Sequence, residues 1–157
     1  EAMKHTYHKL NLNCLVILGG NGTQKTAYLL REEGLNIVSL PKTIDNDLGE
    51  TDHCPGFGSA AKFIATAFTE IACDCYVYDI PSVTVVEVMG RNAGWLTASA
   101  ALARNEARHV PQLIYLCERA FDTGRFVEDV KEALERENNI IIAVSEGLKD
   151  ARGNYVG

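Results

Sequence analysis

The sequence predicts an α/β fold: three layers, doubly wound, with a largely parallel sheet and helices on both faces. Three observations carry this expectation. Short runs rich in Val, Ile and Leu alternate with segments of helical periodicity. Two of those runs end abruptly in glycine-rich turns that open helices. Parallel neighbours need crossover connections of the length that these helical segments supply.

Leu12 to Leu18 is the first mostly apolar run, and it ends in Gly19-Gly20-Asn21-Gly22. From Thr23 the sequence favours helix through Glu33, where Gly34 stops it. Leu35 to Leu40 reads as a second buried strand, broken by Pro41 before the polar loop Lys42 to Asp52, so the opening unit is βαβ. From about Gly56 a long helix follows, because Phe57, Ala60, Ala61, Ile64, Phe68, Ile71, Ala72 and Cys75 keep i, i+3, i+4 spacing. Pro81 ends that region. Val83 to Met89 is β-branched enough for a third strand, closed by Gly90-Arg91-Asn92-Ala93-Gly94 and a helix to about Arg104, with Trp95 packing on the sheet. Leu113 to Cys117 is the fourth strand, Asp122 or Thr123 caps a charged helix to about Glu137, and Ile140 to Val144 is the fifth strand.

Composition bounds the function. The chain has 157 residues, 15 Lys plus Arg against 21 Asp plus Glu, and a formal net charge of −6. With 46% hydrophobic and 23% charged residues it can bury the core of one domain or of two small lobes. The acidic balance, with no Lys/Arg run longer than two, argues against a nucleic-acid or anionic-membrane partner, so any phosphate must be held locally. Apolar runs such as Ile140 to Val144 fall far short of the roughly 20 residues of a membrane span. Glu1-Ala2-Met3-Lys4-His5 lacks a basic-then-apolar signal and reads as a truncated start. Cys14, Cys54, Cys73, Cys75 and Cys117 form no C-x-x-C pair, which points to a reducing cytoplasm rather than a zinc site. Cys73 and Cys75 diverge on a helix and read as packing residues, and His5, His8, His53 and His109 have no partner at ligand spacing.

In doubly wound sheets ligands collect at the carboxyl ends of the strands. Four polar or glycine-rich segments belong there. Gly19 to Thr23 is either a tight turn or a cradle whose backbone N–H groups hold a phosphate at a helix start. It misses the P-loop pattern because Gln24 stands where the last glycine must be. Thr43-Ile44-Asp45-Asn46-Asp47 places two carboxylates two residues apart, which suits a phosphoryl-transfer site where one accepts a hydroxyl proton and the other holds Mg²⁺; the competing reading is a solvated Asx turn. Lys42 beside the pair favours an anionic ligand. Arg91, just past a buried strand, suits bidentate phosphate binding or a structural ion pair, and Glu146 is a sugar-hydroxyl acceptor or an ordinary loop carboxylate.

Taken together, Gly19-Gly20-Asn21-Gly22-Thr23, Pro41-Lys42-Thr43-Ile44-Asp45-Asn46-Asp47, Met89-Gly90-Arg91 and Ser145-Glu146-Gly147 resemble the 6-phosphofructokinase family in order and setting. The resemblance implies Mg²⁺-dependent phosphoryl transfer from ATP to the 1-hydroxyl of fructose 6-phosphate, a glycolytic step, in a cytoplasmic homo-oligomer. It implies that Asp45 is the base, with Thr43, Asp47 and Arg91 also catalytic, and that Gly20, Asn21, Gly22, Thr23 and Lys42 bind the donor. It further implies that Thr43, Asp45, Met89, Gly90, Arg91 and Glu146 contact fructose 6-phosphate, and that Asn21 and Asp47 serve the metal. Residues 1–80 would belong to the donor lobe and 81–157 to the sugar-phosphate lobe, as an internal fragment that does not turn over alone.

Three positions depart from the family pattern. Asn21 replaces the usual aspartate, which weakens the metal site. Lys42 is found in pyrophosphate enzymes and in some ATP enzymes, whereas Gly22 stands where pyrophosphate enzymes carry an aspartate; Gly22 favours ATP and Lys42 leaves pyrophosphate open. Ser82 replaces an arginine that reaches a neighbouring subunit in allosteric members. The rival classes are an NAD or lipid kinase, against which Met89-Gly90-Arg91 argues, and a catalytically dead regulatory subunit, against which Asp45 and Asp47 argue.

Overall fold

The structure is a computed structural model that describes residues 1–105 and 109–156. It begins with a helix that the sequence pattern does not predict, α1 (Ala2–Lys9), whose apolar residues are too sparse to form a stripe. Tyr7 is its buried residue, and the Lys4 ammonium ties it to Glu33 at 3.0 Å. Strand β1 (Leu15–Gly19) starts later than expected, and α2 (Asn21–Glu32) starts earlier because extended Gly20 acts as its N-cap. Strand β2 (Ile37–Pro41), α3 (Phe57–Cys75) and β3 (Ser82–Val88) follow. The helix expected to reach Arg104 is only α4 (Trp95–Ser99) before the chain tightens into a 3₁₀ turn over Ala100–Ala103, where the Ser99 hydroxyl bonds back to the Leu96 carbonyl at 2.6 Å. Strand β4 (Leu113–Tyr115), α5 (Thr123–Leu134) and β5 (Asn139–Ser145) complete the described elements.

All strand pairs are parallel, as expected, but the strands form two sheets rather than one: β1–β2, and β3–β5–β4. Alternation and composition mark a strand; they do not say which strands pair. In the three-stranded sheet β5 lies between two neighbours, so Ile140, Ile141, Ile142 and Ala143 are fully buried, which is why this stretch is apolar without interruption. Helices α3 and α4 cover one face through a core of Phe68, Ala72, Val88, Leu96, Ile141 and Ala143. Helix α5 covers the other, its Phe126 ring lying 5.3 Å from that of Tyr115. In the two-stranded sheet α2 covers one face with Ala27, and Val16, Leu18, Val38 and Leu40 are exposed on the other.

Because α3 follows the first sheet in sequence but packs on the second, its burial should dominate how the two halves hold together. Phe68 is 1% exposed. Phe68→Ala should cost about 3–5 kcal/mol in urea denaturation. Thr69→Ala, on the exposed side of the same helix, should stay within about 0.5 kcal/mol. A loss below about 1 kcal/mol for Phe68→Ala would mean that this face is not packed as described.

Candidate active site

Strands β1 and β2 run side by side and release their chains at the same end. After β1 comes Gly20, where a side chain would sit 3.3 Å from Thr43 Cβ, so the glycine turn lies against the Thr43 loop. The Lys42 N–H bonds the Gly19 carbonyl at 3.0 Å and carries the strand pairing one residue further. The loop is then closed at its far end: Thr43 N–H donates to the Pro55 carbonyl at 3.2 Å, and Thr43 bridges Gly56. Gly56, at φ +109°, is the N-cap of α3, a conformation that disfavours any side chain.

Within this closed loop Asn46 is buried, with φ +54°. Its amide nitrogen donates to the Asp52 carbonyl at 3.2 Å, and its oxygen accepts the Cys54 N–H at 2.8 Å. The competing reading of a solvated Asx turn does not hold for Asn46: its amide is an internal staple that fixes the backbone between Asp45 and Asp47. The Asp45 N–H donates to the Thr43 hydroxyl oxygen at 3.2 Å, which leaves the Thr43 hydroxyl hydrogen free for a ligand. The Asn21 amide nitrogen donates to Asp47 Oδ2 at 2.5 Å and reaches the Asp47 carbonyl at 3.4 Å. Asp47 Oδ1 is buried with no hydrogen-bond partner.

The second sheet contributes from its own carboxyl ends. The Glu146 N–H bonds the Val88 carbonyl at 3.0 Å, and the Glu146 carboxylate accepts the Gly90 N–H at 3.3 Å. A Cβ on Gly147 would stand 1.8 Å from the Arg91 carbonyl, so only glycine lets the two turns meet. The structure thus brings Ser145-Glu146-Gly147 against Met89-Gly90-Arg91. It also brings Glu146 within electrostatic reach of Asp45. Burial, then the Asp47 charge, then the Glu146 charge push the Asp45 carboxyl above the ordinary carboxylate range. The side chains of Lys42 and Arg91 are exposed and make no ion pair or hydrogen bond among the described residues.

The expected site residues therefore lie on loops at one end of the two sheets. Gly20, Asn21, Gly22 and Thr23 open α2; Lys42, Thr43, Asp45 and Asp47 follow β2; Met89, Gly90 and Arg91 follow β3; Glu146 follows β5. The sequence reading overlooked Asn46 and Gly147. An Asn flanked by acids in a loop was the signal for the first; the second shows only in the close approach of two turns. Trp95 is corrected as well: it is 56% exposed, and its neighbour Leu96 fills the core instead. Cys73 is exposed rather than packed, while Cys75 lies 3.4 Å from the Thr84 hydroxyl. Among the described residues no group of three or more His, Cys, Asp and Glu is placed to hold a metal ion, and no helix is long and apolar enough to cross a membrane.

Comparison with known proteins gives one consistent result. The chain is 47% identical over 145 residues to a pyrophosphate–fructose 6-phosphate 1-phosphotransferase of Rhodospirillum rubrum, covering 88% of this chain and 35% of that protein. It is 41% identical over 148 residues to an ATP-dependent 6-phosphofructokinase of Spirochaeta thermophila, covering 94% and 38% respectively. The solved structure of a pyrophosphate-dependent phosphofructokinase from Nitrosospira multiformis superposes with a TM-score of 0.80 at 33% identity, over 96% of this chain and 40% of that one. The chain spans well under half the length of these relatives. The family model described as Phosphofructokinase matches residues 1–157, and with these relatives it shows that the chain belongs to the phosphofructokinase family.

Proposed function

We propose that the chain is the central part of a 6-phosphofructokinase that transfers the terminal phosphoryl group of ATP to the 1-hydroxyl of fructose 6-phosphate. The observation that carries this reading is the placement of Asp45 in a partly buried spot beside Asp47 and within electrostatic reach of Glu146 from the other sheet, where burial first and the two charges second raise its affinity for a proton. A carboxylate so perturbed is a better base near neutral pH than an ordinary aspartate. Asp45 takes the proton of the sugar hydroxyl as that oxygen attacks phosphorus. Thr43 donates its hydroxyl hydrogen to the moving phosphoryl group, and Arg91 supplies a guanidinium fork for phosphate oxygens. The backbone N–H groups that open α2 at Asn21, Gly22 and Thr23, together with Lys42, hold the donor phosphates. Met89, Gly90 and Glu146 contact the sugar phosphate.

The buried, unpartnered Asp47 Oδ1 fits Mg²⁺, which takes one or two protein carboxylates plus substrate phosphates rather than a protein cage. Asn21 holds the other Asp47 oxygen and so orients the carboxylate. Bound there, Mg²⁺ supplies positive charge against the donor phosphates. On this reading residues 1–80 belong to the donor lobe and 81–157 to the sugar-phosphate lobe of a longer cytoplasmic homo-oligomer, and the free cysteines suit that compartment.

Donor choice rests on Gly22. A Cβ there meets nothing within 4 Å, so the position opens onto the donor space. Pyrophosphate is the second reading, favoured by the unpaired Lys42 and by the similarity to the Rhodospirillum rubrum protein. In the longer parent protein ATP should give the higher kcat/KM. Gly22→Asp, which clashes with nothing internal, should lower ATP use by about tenfold relative to pyrophosphate, the effect of one screened charge. A parent that prefers pyrophosphate would contradict the assignment.

Asp45→Asn should cut turnover by about two to four decades with fructose 6-phosphate binding nearly intact. Since the base must be ionised and its pKa is raised, turnover of the parent should fall on acidification with an apparent pKa above the ordinary carboxylate value. A variant that keeps a large share of its turnover would remove Asp45 from the role.

Asn21→Asp replaces an amide donor by a second carboxylate beside Asp47. Without Mg²⁺ the variant should melt below the parent, because two anions then face each other. With Mg²⁺ the melting temperature should recover, and the half-saturating Mg²⁺ concentration should fall by about threefold to tenfold. Thermal melts that respond to Mg²⁺ no more than the parent's would place residue 21 outside the metal's surroundings.

A further inference from the structure

We infer that Gln24 is a positioning residue of the active site, a three-point clamp that fixes the donor turn against the catalytic loop. The kinetic part of this inference rests on the phosphoryl-transfer reading above. Gln24 lies in α2, one turn beyond Asn21, at the position that breaks the P-loop pattern. Its side-chain amide donates to two carbonyls on neighbouring strands: Gly19 at 3.0 Å and Leu40 at 3.1 Å. Its oxygen accepts the Ser39 hydroxyl at 2.5 Å. Both amide hydrogens are thus used, one on each of the paired strands β1 and β2.

The location gives the clamp its consequence. Gly19 is the last residue of β1, immediately before the donor turn; Leu40 precedes Pro41, Lys42 and Thr43. The ladder between β1 and β2 runs to Gly19 opposite Pro41 and closes with the Lys42 N–H on the Gly19 carbonyl, so Gln24 acts where the paired strands give way to the two loops. Helix α2 therefore grips the catalytic loop twice: at its root, where Gln24 holds Leu40, and further out, where Asn21 holds Asp47. Side chains that lack two hydrogens on one nitrogen at this reach cannot reproduce the bridge. Glu matches the size of Gln but would point a charge at two carbonyl oxygens, and Ala leaves both carbonyls without this donor.

The test compares Gln24→Ala, Gln24→Glu and Ser39→Ala in the full-length parent protein. Gln24→Ala should lower kcat by about tenfold and raise the donor KM about threefold to tenfold, leaving the fructose 6-phosphate KM within about twofold, because misplacement falls on the donor turn and the Asp45 loop. Gln24→Glu, despite equal size, should be at least as damaging, whereas Ser39→Ala keeps both carbonyl bonds and should stay within about twofold. Amide hydrogen exchange provides the arm that needs no activity: Lys42, whose N–H bonds Gly19, should exchange about tenfold faster in Gln24→Ala, while Ile141 and Ile142 in the other sheet keep their protection. If Gln24→Glu does not fold, Gln24→Ala decides alone. Unchanged Lys42 exchange, or equal shifts in the KM for donor and sugar, would overturn the clamp. An unmutated parent that transfers no phosphoryl group would overturn the function instead, and the exchange result would still decide Gln24.

Discussion

The closure of residues 43–56 onto the start of α3 is the constraint from which the site follows. Thr43 is held from both sides, by Pro55 through its N–H and by the bridge to Gly56. From Gly56 the helix runs 19 residues, about 28 Å, and sinks Phe68 and Ala72 into the core of the other sheet. A rod anchored at one end in a packed core and at the other in the loop of residues 43–56 fixes the distance between the two. That is how Asp45, which follows β2, comes to feel Glu146, which follows β5, although no strand of the first sheet pairs with one of the second.

Gathering carboxylates in this way is unfavourable in itself. Asp45 binds its proton more tightly folded than unfolded, so its charge subtracts stability in full above the folded pKa, and the penalty shrinks as pH falls from that value and is gone below the unfolded one. The surrounding structure holds the arrangement in place through neutral contacts: the Asn46 staple, the Asn21 amide on Asp47 and the Gly90 N–H on Glu146. The cations stand apart. Lys42 and Arg91 are exposed, with no ion pair among the described residues.

What the sequence makes legible is what is written locally. The apolar run at β5 announces a doubly covered strand, and Asp122 announces its helix because its carboxylate caps the Arg125 N–H at 2.8 Å. The motif segments can be placed from sequence, since each lies at the end of a strand. Illegible are features set by distant partners. Helix α1 is fastened by one tyrosine and one ion pair, the split into two sheets depends on pairing rather than pattern, and Trp95 points outward because Leu96 takes the core position. Gln24 belongs to the same class: its meaning lies in two carbonyls on separate strands.

The two sheets place Asp45 and Glu146 in one electrostatic environment. An NMR titration of the Asp45 carboxyl carbon, in the parent and in Glu146→Gln, measures this directly. Asp45 should titrate above the ordinary carboxylate value in the parent and move toward it when the Glu146 charge is removed. An ordinary value in both proteins, or a raised value indifferent to Glu146, would show that the loops do not meet as described.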